Sequence, residues 1–381
     1  IADAGFNAIW IRAILRDIAP TRVFPELGRD SAAHLRSLRT VIRRADRAGV
    51  KVFLYMQEPM GMAPDAPFWK QHPDTRGVTY PETFAGPMST LCTSHPKVTA
   101  FLRAGAHVVS RRLPHLAGVI LITASEYPSH CYSYYPVNPE IASLPESPRG
   151  PLGCPRCRRR HPREVVREII GSIHAGFQDA GHGAEVVAWN WAWNAYEKDP
   201  QAEIVRRLPR GVTLLSDFER GDTKVILGKP RDIEEYALSF AGPSRRFRGS
   251  CRTARSCGMR VMAKLQIGTT HELATVPNLP LIGRLYDKAR AMRRLQVRDF
   301  MGCWNFGNLL TANTAAFNDF LTVRRLPPRR QALAAFACRY FPGCDAQGAA
   351  EAWEVFGKAM DSYPFCVPFL YESPLNYAVA Q

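Results

Sequence analysis

From Arg43 to Pro59 the chain reads RRADRAGVKVFLYMQEP. A charged helical tail runs into Gly49, the residue type that closes a helix because it takes the left-handed conformation without a steric penalty. The apolar run that follows, Val50 to Met56, is short and β-rich, and it stops at Gln57 and Glu58. Helix, glycine, apolar strand and polar strand end are the marks of a βα unit in a parallel sheet. Further along, ARSCGMRVMAKL at 254–265 repeats the same order.

Working outward, eight such strand runs appear: FNAIWIRAI (6–14), VKVFLYMQ (50–57), GVILITASE (118–126), AEVVAWNWAW (184–193), GVTLLSDFE (211–219), YALSFAG (236–242), RVMAKLQIG (260–268) and DFMGCWNFG (299–307). Stretches with helical apolar spacing lie between them, such as Leu35, Leu38, Val41 and Ile42, or Val165, Val166, Ile169 and Ile170. The pattern predicts an α/β protein, a (β/α)8 TIM barrel over residues 1–325. One link breaks the rhythm, because RGDTKVILGKPRDIE at 220–234 has no clear helix. Two explanations stay open: the sixth run lies outside the barrel and a first strand is missing upstream, or that connection is degenerate. From Leu326 the helical stretches LPPRRQALAAFACRYFPG and AAEAWEVFGKAMDSYPF follow without strands, which predicts a C-terminal helical extension over 326–381.

The chain has 381 residues, enough for a barrel of about 250 residues plus an appended segment. It opens on Ile1 and IADAGFNAIWIR, which reads as a helix end entering a strand, so an incomplete N-terminus is expected. No apolar run approaches the roughly 20 residues that span a bilayer, and no membrane partner is expected. The net charge of +16 raises the question of nucleic acid. Arginine is scattered over helical faces, however, and the dense stretches CPRCRRRHPRE and PPRRQ carry no interleaved aromatics, so nucleic acid is not an expected partner. Ten cysteines in a long, core-rich chain fit a reducing compartment better than a disulfide framework, which favours a cytoplasmic location.

Barrel enzymes place their chemistry at the C-terminal ends of the strands. Here those ends carry Glu58 beside Gln57, Glu126 beside Ser125, Asn190, Asp217 with Glu219, Gln266 followed by His271 and Glu272, and Trp304 with Asn305. A single carboxylate there commonly caps the next helix. Four acid-bearing strand ends converging on one mouth would repel one another to no purpose unless the charges are used. Paired carboxylates with flanking aromatics suit glycoside hydrolysis, where one acid protonates the leaving oxygen and the other attacks the anomeric carbon or activates water. Trp193, beyond its strand end, is expected to stack on a sugar ring. Arg12, with Arg16 four residues on, is placed to bind hydroxyls or an acidic sugar, and His130 lies in a loop near the expected mouth. No catalytic cofactor is called for, and the expected partner is a carbohydrate substrate.

GVILITASEYPSHC (118–131), THELATVP (270–277) and GCWNFGN (302–308) together resemble the retaining β-glycosidases of glycoside hydrolase clan A. That resemblance implies Glu126 as acid/base and Glu272 as nucleophile, with the carboxyls about 5 to 5.5 Å apart. Ser125 stands where the clan commonly has Asn. More distantly the same segment resembles the family 20 hexosaminidases, in which the substrate's acetamido group is the nucleophile, and there Ser125 replaces an Asp. A substrate-assisted N-acetylhexosaminidase and a non-catalytic glycan-binding barrel are the alternatives to the retaining enzyme.

The CPRC motif places Cys154 and Cys157 at a separation used by zinc, although a redox pair has the same spacing. Cys131 and Cys92 lie on other candidate loops. The four together resemble the zinc cluster of some clan A β-galactosidases, which implies a structural zinc held by Cys92, Cys131, Cys154 and Cys157.

Overall fold

A computed structural model describes residues 2, 5–83, 85–134, 153–268, 272, 279–302 and 310–363. The fold is of the (β/α)8-barrel class with a C-terminal helical extension. Contacts divide the chain into two compact units: Asn7–Leu215 with Arg252–Arg260, and Ile1–Phe6 with Ser216–Cys251 and Val261–Gln381.

The first unit opens with β1 (Ala8–Arg12), the short α1 (Leu15–Ile18), α2 (Ser31–Arg47) and β2 (Lys51–Met56). At the end of α2, Gly49 takes φ +70°, and the Val50 N–H returns to the Ala45 carbonyl at 2.9 Å. This is the glycine turn read from RRADRAGVKV, and it delivers the chain into β2, parallel to β1. A hairpin of β3 (Arg76–Tyr80) and β4 (Met88–Leu91), with no counterpart in the expected pattern, precedes α3 (Pro96–Arg112). Then come β5 (Gly118–Ile122), α4 (Pro162–Ala180), β6 (Glu185–Trp189), α5 (Ala202–Arg206) and β7 (Thr213–Asp217, whose last two residues fall in the second unit).

All five residues of β5 are buried, as in a parallel strand covered on both faces. Its leading glycine has a reason: a Cβ on Gly118 would collide with the Glu185 carbonyl of the paired strand. Helices α3 and α4 lie side by side, and a Cβ at Gly176 would meet the Arg103 carbonyl and the Ala106 methyl. Pro162 starts α4 with its ring in the first turn, and Gly181, at φ 73°, ends it.

The second unit contains a hairpin, β8 (Asp222–Ile226) and β9 (Lys229–Ile233), then α6 (Arg245–Ser256, whose last turn falls in the first unit), β10 (Val261–Lys264), α7 (Ile282–Arg294) and β11 (Asp299–Met301). Strands β10 and β11 are parallel. The helix α8 (Ala312–Thr322) precedes Leu326, and α9 (Arg329–Tyr340) and α10 (Ala346–Ala359) follow it without strands, as expected of the extension. Arg329 links α9 to α10 and α7, with Nε and Nη2 on Glu354 at 2.6 and 2.8 Å and Nη1 on Asp287.

One expectation is corrected. YALSFAG at 236–242 is no strand; the irregular 220–234 link folds instead as the β8–β9 hairpin. The apolar run is buried, yet side chains take the backbone groups that a strand ladder would have used. The Ala237 carbonyl accepts from Lys288 Nζ at 2.7 Å, and the Leu238 and Ser239 N–H groups donate to the Glu272 carboxylate at 2.6 and 3.1 Å. The main sheet accordingly has seven strands among the described residues, in the order β1-β2-β5-β6-β7-β10-β11. No helix among them is long and apolar enough to cross a membrane.

Candidate active site and cysteine cluster

In the first unit the strand ends of β1, β2 and β5 assemble a polar relay. Arg12, the last residue of β1, donates from Nη2 to Gln57 Oε1 at 3.5 Å, and its guanidinium lies 5.0 Å from the centre of the Tyr127 ring. Gln57, just past β2, turns its amide to Ser125 Oγ at 2.9 Å. The Ser125 hydroxyl donates to the Glu126 carboxylate, and the Tyr134 hydroxyl donates to the Glu126 carbonyl. Tyr55, the inward neighbour of this relay, has its pKa pushed up first by burial and then by the Glu126 charge. Gln57 and Ser125 are buried, whereas Glu126 is exposed. The result is one solvent-facing carboxyl oriented by a chain of buried partners, the arrangement an acid/base needs so that its proton meets the leaving group at a fixed angle.

Other candidates in this unit are committed to the protein itself. Glu58 is 2% exposed and accepts from the Leu15 N–H at 2.6 Å, capping α1; burial pushes its pKa up to about 8. Arg16 donates to the Met60 and Gly61 carbonyls at 3.2 and 2.6 Å. His130 is fully buried, accepts from the Tyr132 N–H at 3.1 Å, and is held near pKa 4 by desolvation. Asn190 is fully buried with its amide on Gln201 Oε1 at 3.2 Å. Trp193, expected as a stacking platform, is fully buried as well, its indole N–H on Thr123 Oγ1 at 2.8 Å. Between them, Trp191 is part-exposed.

The four cysteines converge. Cys92, Cys131, Cys154 and Cys157 are buried, and their sulfurs lie within 4.8 Å of one another. Cys92 Sγ is 3.5 Å from Cys154 Sγ and 3.6 Å from Cys157 Sγ. A disulfide requires about 2.05 Å, whereas four thiolates around zinc at about 2.3 Å are separated by roughly 3.8 Å. The backbone around the cluster is pinned: the Tyr80 hydroxyl donates to the Cys131 carbonyl at 2.9 Å and the Tyr132 hydroxyl to the Cys157 carbonyl at 2.8 Å. Sulfur spacing, burial and the soft donor set all fit zinc.

The second unit holds a separate strand-end cluster. Asp217, the last residue of β7, is fully buried, 3.2 Å from Arg246 Nη1 and 3.8 Å from Arg220 Nη1. Glu219 is fully buried, and its Oε1 takes Lys288 Nζ at 2.5 Å and the Gln266 N–H at 3.0 Å. Lys288 also donates to the Ala237 and Gln266 carbonyls at 2.7 and 3.1 Å, so the pair ties α7 to the ends of β7 and β10. Gln266 is buried and serves this network through its backbone. Glu272 is fully buried, its carboxylate oriented by the Leu238 and Ser239 N–H groups and the Ser239 hydroxyl. Lys264, the last residue of β10, sets its ammonium 3.9 Å from the centre of the Tyr236 ring. Glu235, half-buried, is a residue the sequence reading missed. Burial pushes its pKa up to about 7, with Arg220 opposing and Asp217 adding to the rise. Its only sequence signal is an acidic pair, Glu234–Glu235, just before a buried apolar run. His271 and Trp304 lie outside the described residues.

No protein-family model and no curated protein matches the chain. Solved structures similar to it include a GH138 enzyme targeting pectin rhamnogalacturonan II, at 11% identity over 95% of this chain and 39% of that one, TM-score 0.49. A chitobiase of Flavobacterium johnsoniae is similar at 12% identity over 99% of this chain and 49% of that one, TM-score 0.46. An endoglucanase of Pseudomonas stutzeri is similar at 11% identity over 86% of each chain, TM-score 0.43. The chain thus spans less than half the length of the first two.

Proposed function

We propose that this chain is a glycoside hydrolase that cleaves O-glycosidic bonds by a retaining, two-carboxylate mechanism. Glu126 protonates the departing oxygen while the Glu272 carboxylate attacks the anomeric carbon. Glu126, now ionised, then takes a proton from the water that displaces Glu272, so the sugar leaves with its configuration retained. Arg12, beside the relay, contacts substrate hydroxyls. The observation that carries this reading is the Arg12–Gln57–Ser125–Glu126 relay, which presents an exposed carboxyl on the buried Gln57 and Ser125 at the ends of three parallel strands.

The test is hydrolysis of a panel of aryl glycosides, including N-acetylhexosaminides and uronides, by the wild type and by Glu126→Gln and Glu272→Gln. Loss of cleavage in both variants supports the two-carboxylate mechanism. Cleavage of an N-acetylhexosaminide that survives Glu272→Gln replaces it with substrate-assisted hydrolysis. Cleavage that survives both substitutions refutes the assignment of the site.

We also propose that Cys92, Cys131, Cys154 and Cys157 hold a structural zinc. Bound there, the ion would cross-link the loop after β4, the loop after β5 and the turn ahead of α4. The Cys131 end of that clamp is five residues from Glu126, so the ion's contribution is to fix the loop that follows the acid.

A further inference from the structure

The densest arginine run of the chain, CPRCRRRHPRE at 154–164, takes no part in the proposed hydrolysis, yet two of its arginines meet the cysteine cluster. Arg156 sits between the two cysteines of the turn. Its Nε donates to Cys92 Sγ at 3.3 Å and its Nη2 to the Arg76 carbonyl at 3.1 Å. The Cys92 N–H in turn donates to the Thr75 carbonyl at 2.8 Å, so one guanidinium holds the CPRC turn against the end of β4 and the start of β3. Arg160 reaches the cluster through a hydroxyl: its Nη1 donates to Ser94 Oγ at 2.6 Å, which leaves the Ser94 hydrogen for Cys157 Sγ at 3.2 Å. The charge of Arg160 is met by Glu168 at 2.8 Å, whereas the Arg156 guanidinium faces a sulfur and a carbonyl. Packing at the cluster is close, since a Cβ on Gly77 in β3 would collide with Cys131 Sγ.

Four thiolates around a divalent ion leave the centre doubly negative, and the sulfurs here belong to residues no more than 1% exposed. Excess charge held away from water is stable only where cations or hydrogen-bond donors meet it. We propose that Arg156 and Ser94 secure the metal of this cluster, Arg156 by offsetting the excess negative charge through the Cys92 thiolate and Ser94 by donating to the Cys157 thiolate. The inference rests on the zinc reading. A guanidinium N–H on a thiolate makes a charge-assisted bond, about twice as strong as a bond between neutral groups, so Arg156 carries more of the effect than Ser94. Both bonds also fix the direction in which the sulfur is held, and losing partners of this kind typically weakens metal binding about 10–100-fold.

The experiment is equilibrium competition for zinc between a chromophoric chelator and the full chain, as wild type, Arg156→Gln, Arg156→Lys and Ser94→Ala, under reducing conditions. Arg156→Gln keeps a donor without the charge and should weaken zinc binding about 10–100-fold. Arg156→Lys keeps the charge and should recover at least part of that loss, a rescue that a purely structural role for the side chain does not produce. Ser94→Ala should weaken binding severalfold, and it carries the test if Arg156→Gln fails to fold, which melting curves report. In the cobalt-loaded protein the sulfur-to-metal charge-transfer absorption should move to longer wavelength in Arg156→Gln, as the Cys92 sulfur loses its positive neighbour. Zinc held as tightly by Arg156→Gln and Ser94→Ala as by the wild type, Arg156→Lys no better than Arg156→Gln, or an unmoved cobalt spectrum overturns the proposal. A wild type that holds no zinc removes the zinc reading and this inference together, whereas equal affinity in the wild type and the folded variants removes this inference alone.

Discussion

Replacing Lys288 by Met removes the cation from a pair whose two members are both fully buried. The Glu219 carboxylate then stays in the interior with only the Gln266 N–H on Oε1, and the Ala237 and Gln266 carbonyls lose their donor. Leaving a buried charge without its partner costs about 3–5 kcal/mol, and no solvent screens this one. At about 1.3 °C per kcal/mol for a chain of this size, the melting temperature should fall by roughly 4–6 °C. The double variant Glu219→Leu with Lys288→Met removes both charges and should recover much of the loss, because an apolar replacement of a buried pair is often neutral. Differential scanning calorimetry of the two variants and wild type at pH 7 decides it. A fall under 2 °C in the single variant, or a double variant less stable than the single, would refute the reasoning.

Three further outcomes are expected. Glu58 has its pKa raised from 4.5 to about 8 in the folded protein, so the folded state binds the proton more tightly and stability falls as pH rises from about 4.5 to 8. At about 1.4 kcal/mol per pKa unit the fall is on the order of 3–5 kcal/mol, and Glu58→Gln should abolish it, seen as a melting-temperature gain over wild type at pH 8 that vanishes near pH 4. Protein purified under reducing conditions should carry about one zinc per chain by elemental mass spectrometry, and Cys154→Ser should lose it; retention of zinc in that variant would sink the four-thiolate site. Gly176→Ala should destabilise by about 1–3 kcal/mol in urea melts, because its Cβ meets the Arg103 carbonyl and the Ala106 methyl of α3; a neutral effect would mean the helices can part freely.

The features legible in the sequence are those set by local rules. Gly49, the apolar run after it and the polar pair Gln57–Glu58 announce a βα unit because a helix stop and a parallel strand need those residue types in that order. The CPRC spacing led to the cysteine cluster in the same way. YALSFAG misled because its apolar character reports burial alone; what keeps it out of the sheet is Lys288 and Glu272, 51 and 34 residues away from the groups they bind. Trp193 misled likewise, since its position beyond β6 says nothing of Thr123, 70 residues upstream, which takes its indole N–H. Glu235 was invisible because its environment is made by Asp217, Arg220 and Lys264, which only the fold brings near it.

The central claim is that Glu126 gives a proton to the leaving group, and the dependence of Glu126→Gln on leaving-group acidity tests it most directly. Wild type and variant are compared on aryl glycosides of the sugar they cleave, from 2,4-dinitrophenyl, which departs without protonation, to unsubstituted phenyl, which does not. With Glu126 as the acid, kcat/KM of the variant stays near wild type for the dinitrophenyl substrate and falls about 10²-fold or more for the phenyl substrate. An equal loss across the series would contradict it and leave Glu126 a residue that only holds the site in shape.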